Sequence, residues 1–141
     1  MTARVLVPMD GSEMSEHALE YALDAFPDAE ITVLTVVGEP SSMWGAATGL
    51  ALADDLEEAA REHAQSTFDR AREIVDGADG DAELETVYDL GHPVRAIINR
   101  AGDYDTVVVG SHGGTIADNL YVGNVAKKVV HQSPVPVTVV R

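Results

Sequence analysis

The chain has 141 residues, 24 acidic and nine basic side chains, and a formal charge of −15, which is the size of one domain with a strongly acidic surface. That balance excludes a nucleic-acid backbone and an anionic membrane surface as partners, because both demand a basic footprint. No cysteine is present, so disulfides, thiolate metal sites and cysteine nucleophiles are excluded as well.

Val5-Leu-Val-Pro8 is a short apolar run and is read as the first strand, with Pro8 ending its ladder and Gly11 allowing a tight turn. Ser12 is placed to cap a helix whose first turn carries Glu13 and Glu16. Met14, Ala18, Tyr21, Ala22 and Ala25 recur at helical spacing and are expected to face inward, and Pro27 stops the helix. Ile31 to Val37 is β-branched and uninterrupted, the pattern of a strand covered on both sides. Residues 38–49 read as a loop that carries Met43 and Trp44. A long helix is expected from about Leu52 to Val75, with Leu52, Leu56, Ala59, Ala60, His63, Ala64, Thr67, Phe68, Ala71, Ile74 and Val75 as its inner stripe.

Glu83 to Tyr88 alternates in part and reads as a third strand at a sheet edge. Gly91-His-Pro93 opens a helix with Val94, Ile97, Ile98 and Ala101 facing inward. Thr106 to Val109 is the fourth strand. The last helix runs from about Asn124 to His131 and is expected to bury Val125, Ala126, Val129 and Val130. Val135 to Val140 closes the order as a fifth strand, placed at an edge and blunted by Pro134 and Pro136. Strict alternation of strand and helix predicts an α/β fold: a single open five-stranded parallel sheet with helices on both faces. In such sheets ligands bind beyond the strand C-termini where the winding reverses. The loops at Pro8–Gly11 and Gly110–Gly113 meet there if the first and fourth strands are neighbours.

Charge is unevenly placed. Residues 1–105 hold 23 acids and six bases, whereas residues 106–141 hold one acid, Asp118, and three bases, Lys127, Lys128 and Arg141. The glycine-rich loop therefore lies in the segment least dominated by carboxylates. An acid-rich, lysine-poor surface resembles proteins of a high-salt cytoplasm, where screening weakens like-charge repulsion, although an ordinary acidic protein shares this composition. The start, Met1-Thr-Ala-Arg-Val, has no signal-peptide layout and no apolar stretch approaches bilayer length. A cytoplasmic location is expected.

The glycines follow the spacing Gly110-x2-Gly113-x9-Gly123-Asn124. Neither the Walker pattern nor G-x-G-x-x-G is present. A strand that ends in glycines, followed by a glycine at the head of a helix, lets backbone N–H groups converge on an anion. The plainer alternative for Gly110 and Gly113 is that they are turn residues only. No G-x-S-x-G elbow, HExxH or kinase-type set occurs, and His17, His63, His92, His112 and His131 lack metal-ligand spacing. A dedicated enzyme is not expected.

The glycine spacing, the opening Val5-Leu-Val-Pro8-Met-Asp10-Gly11-Ser12 and the ending Ser133-Pro-Val-Pro136-Val-Thr-Val-Val-Arg141 together resemble the universal stress protein (UspA-like) family, in its nucleotide-binding type. The resemblance spans residues 1–141 as one domain. It implies a Rossmann-like sheet of the adenine nucleotide alpha hydrolase type, with strand order 3-2-1-4-5, and an ATP or AMP ligand, hydrolysed slowly at most. Asp10 would accept the ribose hydroxyls, while Pro8, Met9 and Val36 or Val37 would contact the base. Gly110 and Gly113, with Ser111 and His112 between them, would bring main-chain N–H groups to the phosphates. Gly123, Asn124 and Val125 would meet the terminal phosphates at the last helix's N-terminus.

Asp10 and Asp118 are carboxylates able to hold Mg²⁺ beside those phosphates. Position 124 departs from the family's Ser or Thr, and Asn there also caps and donates. The resemblance further implies a homodimer by antiparallel pairing through Val137 to Val139, and a regulatory or sensing role in stress response. A nucleotide-independent interaction module of the same fold is the alternative.

Overall fold

The computed structural model describes residues 2–37, 49–112 and 123–141, with backbone only for 49–57 and 60. Strands and helices alternate as β1 (Arg4–Pro8), α1 (Glu13–Ala25), β2 (Glu30–Val37), α2 (Gly49–Asp76), β3 (Glu83–Leu90), α3 (Pro93–Ala101), β4 (Thr106–Gly110), α4 (Asn124–Gln132) and β5 (Val137–Val140). The sheet is parallel throughout and ordered β3-β2-β1-β4-β5, as expected. The chain winds outward from β1 through β2 to β3, then crosses back to β4 and β5. The reversal falls between β1 and β4, where Val5 and Leu6 sit opposite Thr106 and Val107.

Burial explains which runs became central. Val5, Leu6 and Val7, Ile31 to Leu34, and Val107 to Val109 are buried at consecutive positions, because helices cover both faces of those strands. One face packs Val5, Val7, Ile31, Val33 and Val108 against Ala18, Leu19, Ala22 and Leu23 of α1 and Ala64, Phe68 and Ala71 of α2. The other packs Leu6, Leu34, Val107 and Val109 against Ile97 and Ala101 of α3 and Ala126 and Val129 of α4. The edge strand β3 is only half-buried.

The ladder does not stop at Pro8. Pro8 stays in register with Leu34, and the Met9 N–H donates to the Leu34 carbonyl at 2.9 Å.

Helix phases differ from the expected ones in three places. In α1 the buried stripe is Ser15, Ala18, Leu19, Ala22 and Leu23, while Tyr21 is 44 % exposed and Ala25 lies at the surface. Rotating the helix toward Leu19 and Leu23 buries more apolar area and leaves the Tyr21 hydroxyl end in water. In α2, Ala64, Thr67, Phe68 and Ala71 face inward, but Ala59 and His63 are exposed, and the helix starts earlier than expected, at Gly49. In α4 only Ala126 and Val129 are buried, whereas Val125 and Val130 are 42 % and 47 % exposed. A short helix over the β4–β5 edge of the sheet has one row of contacts to fill, and flanking valines fall outside it.

Candidate functional site

A cavity of about 400 Å³ opens beyond the C-terminal ends of β1, β2 and β4, against the start of α4. That is within the range, roughly 300–1,000 Å³, of small-ligand sites, and it lies where the winding reverses. Its apolar wall comes from Pro8, Leu34, Val36, Ile97 and Val109, with Pro93 at the start of α3. Asp10, Ser15, His112 and Asn124 bring polar groups to the same space.

Asp10 sits in the turn between β1 and α1. Gly11 follows with φ +84°, a left-handed conformation that glycine takes without Cβ strain. The Ser12 N–H donates to Asp10 Oδ1 at 2.9 Å, an Asx turn that fixes one carboxylate oxygen. Ser12 then caps α1, its hydroxyl accepting from the Ser15 N–H at 3.2 Å, while Ser15 Oγ donates back to the Ser12 carbonyl at 2.8 Å. Below the turn, Met9 is buried in the α1–α2 core. The carbonyl of Asp10 meets His63 Nε2 of α2 at 3.0 Å.

At the end of β4, Gly110 lies against α1: a Cβ there would fall 2.8 Å from Met14 Cγ and 3.0 Å from the Met14 carbonyl oxygen. Ser111 follows, with its N–H donating to the Val140 carbonyl at 2.8 Å and its own carbonyl accepting the Gly123 N–H. Gly123 approaches closely for that reason; a Cβ on it would lie 3.2 Å from the Ser111 carbonyl oxygen and 3.3 Å from His112 Cα. Gly123 is the N-cap of α4 and has no side chain with which to cap it. The expected cap, Asn124, is instead the first helical residue. The N–H groups of Asn124, Val125 and Ala126 precede the first intrahelical bond, Lys127 N–H to Gly123 carbonyl at 3.0 Å, and so stand free of the helix's own ladder at its positive end. Both ring nitrogens of His112 are buried without a hydrogen-bond partner among the described residues.

Of the residues expected at the site, the structure gathers Pro8, Met9, Asp10, Val36, Gly110, His112, Gly123, Asn124 and Val125 around the cavity. Val37 is not on its wall. Strand alternation turns it to the opposite face from Val36, and its carbonyl accepts the Gly91 N–H at 2.9 Å. Ser111 is 2 % exposed and also lies off the wall, since β5 and α4 take its main chain. Gly113, Asp118, Met43 and Trp44 lie outside the described residues. Leu34, Ile97, Pro93, Val109 and Ser15 line the cavity without having been expected there. Their apolar or small side chains carry no chemical signal in sequence.

An open parallel α/β sheet with a cavity of small-ligand size at its reversal point, walled by a glycine-capped helix start and a fixed carboxylate, defines a Rossmann-like fold. The chain belongs to the universal stress protein family, whose model matches residues 1–141. It is 29 % identical over 150 residues to the universal stress protein YxiE of Bacillus subtilis, with the whole of both chains covered. Among solved structures it is similar to the universal stress protein UspA from Lactobacillus plantarum, at a TM-score of 0.84 and 25 % identity over 99 % of this chain and 97 % of that one. It is also similar to a universal stress protein in complex with cAMP, at a TM-score of 0.68 and 27 % identity over 99 % of this chain and 97 % of that one.

Proposed function

We propose that the cavity binds an adenine nucleotide of the AMP or ATP type and that the protein works as a nucleotide-responsive regulatory module of the cytoplasm. The observation that carries this reading is the convergence of the glycine-capped start of α4 and the Asx-fixed Asp10 on one cavity with an apolar wall between them. A nucleotide has the matching order of parts: a flat apolar base, a ribose with hydroxyl donors, and an anionic tail. The base lies against Pro8, Leu34, Val36 and Ile97, and the ribose hydroxyls donate to Asp10. The phosphates meet the N–H groups of Asn124 and Val125, where the helix dipole favours negative charge. His112 supplies a ring N–H to the same anion, and the Asn124 amide supplies another donor. Asp10 is the one carboxylate among the described lining residues, so a triphosphate arrives with its own Mg²⁺. The relative in complex with cAMP supports an adenine nucleotide as the ligand class.

Pairing of two copies through β5 belongs to the same reading. The carbonyls of Pro136 and Val140 accept N–H groups of Val107 and Ser111. By strand alternation, the peptide groups of Val137 and Val139 turn to the open edge, where a second copy's strand takes them up.

Mass spectrometry of the purified protein under native conditions is expected to show a co-purifying adenine nucleotide, and calorimetry to show heat with AMP, ATP or cAMP. Asp10→Ala is expected to weaken AMP binding about tenfold or more, the scale of hydrogen bonds to a charged acceptor. Absence of bound nucleotide, heat and thermal shift at millimolar ligand would replace this reading with that of a nucleotide-independent interaction module.

A further inference from the structure

We infer that His63, on α2, is a positioning residue that holds the Asp10–Gly11 peptide and thereby aims the Asp10 carboxylate into the cavity. The inference rests on the adenine-nucleotide reading, since it assigns Asp10 to the ribose.

Three contacts converge on this peptide. His63 Nε2 lies 3.0 Å from the Asp10 carbonyl oxygen. A carbonyl only accepts, so Nε2 carries the proton and donates, and the bond selects that tautomer. On the next residue, a Cβ at Gly11 would fall 3.0 Å from His63 Cε1 and 3.2 Å from Thr67 Oγ1, so the Nε2–Cε1 edge of the imidazole lies against the turn as well as bonding to it. Thr67 Oγ1 in turn donates to the His63 carbonyl at 3.1 Å, which ties both side chains to one stretch of α2.

The physical need for such a contact comes from Gly11. Its φ of +84° makes the peptide before it the easiest in the turn to rotate, because glycine tolerates both signs of φ. Rotation would carry the Asp10 carbonyl away from α2 and swing the chain that delivers the Ser12 N–H. That N–H holds Asp10 Oδ1 at 2.9 Å. Carboxylate direction and carbonyl direction are therefore coupled through two successive peptides that meet at Gly11. Met9 anchors the turn from the core side, Ser12 holds the side chain, and His63 holds the plane between them. Helix α2 thus takes part in the site through a residue that touches no ligand.

The test uses the full chain with His63→Leu, which removes the donor, and His63→Gln, which keeps a side-chain N–H. Each is titrated with AMP and with 2′,3′-dideoxyadenosine monophosphate, which lacks the hydroxyls that Asp10 would accept. For His63→Leu the expected result is an AMP affinity lower by about fivefold, the worth of one ordinary hydrogen bond, with the dideoxy ligand unaffected. His63→Gln is expected to restore AMP binding. Equal loss for both ligands, or unchanged AMP affinity in a folded His63→Leu protein, overturns the inference. A readout without ligand separates the two readings: nitrogen-15 NMR is expected to find the His63 proton on Nε2, and amide exchange at Gly11 and Ser12 to accelerate in His63→Leu. If the wild-type protein binds neither nucleotide, the reading of the cavity fails while those two signals still decide whether His63 holds the turn. A proton on Nδ1 alone, or unchanged exchange, overturns the positioning role.

Discussion

Gly110→Ala isolates a steric demand of the site. Gly110 ends β4 outside the left-handed region of φ, so alanine is conformationally permitted and the effect comes from the added methyl. That methyl would sit 2.8 Å from Met14 Cγ and 3.0 Å from the Met14 carbonyl oxygen. The thioether side chain can swing aside. The carbonyl cannot, because it belongs to the α1 backbone. The strand and the helix must separate by a few tenths of an ångström, and overpacking of this kind costs about 1–3 kcal/mol. For a chain of this size that is a fall in melting temperature of about 4–12 °C. Since Gly110 also lines the cavity, the proposed AMP binding is expected to weaken with it.

Gly102→Ala is the matched control. Gly102 has φ −62° and ψ −19° and nothing within 4 Å of its added Cβ. Alanine there is expected to be neutral or to stabilise by up to about 1 kcal/mol through the unfolded chain. Calorimetric melts of the three proteins, followed by AMP titration, decide the matter. A Gly110→Ala protein that melts within about 1 °C of wild type, or no lower than Gly102→Ala, refutes the argument that close packing of α1 on β4 requires the glycine.

Asn124→Ser places a smaller donor at the first position of α4 and is expected to raise ATP affinity relative to AMP by about fivefold, near 1 kcal/mol. Titration with both ligands checks this, and an unchanged ratio removes Asn124 as a determinant of phosphate number. Val139→Pro deletes an N–H that faces the open edge rather than β4, a change edge strands tolerate. It is expected to convert a dimer into a monomer in sedimentation experiments. A dimer that persists, or a wild-type protein that sediments as monomer at tens of micromolar, refutes pairing through β5.

Much of this architecture was legible because its signals are local. Val5–Val7, Ile31–Leu34 and Val107–Val109 declare themselves as covered strands through uninterrupted runs of apolar or β-branched residues, and Gly110 and Gly123 interrupt the pattern where backbones must approach closely. Phase was less legible. A strand buried on both faces has no alternation to read, so Val36 and Val37 were equal candidates until helix placement separated them. In α1 two adjacent stripes were both apolar enough, and the bulk of Leu19 and Leu23 decided between them. The cap of α4 fell one residue early because Gly and Asn are both good N-cap residues; the approach of Gly123 to the Ser111 carbonyl selects the one without a Cβ. His63 was read into the inner stripe of α2, and nothing local marked it as a partner of the β1–α1 turn. Its contact with Asp10 spans 53 positions and exists only because α2 lies across the β1–α1 turn.

The main chain of Ser111 is shared between β5, through Val140, and α4, through Gly123. This makes the final residues of the strand a structural part of the cradle, although they lie off the cavity wall. Trimming the chain after Thr138 would release the Ser111 N–H and loosen the Ser111 carbonyl that seats the helix start. A fusion or affinity handle that frays β5 would act in the same way. Expression designs for this protein are therefore better made with additions at the opposite terminus, where residues 2 and 3 lead into β1 at the other end of the sheet.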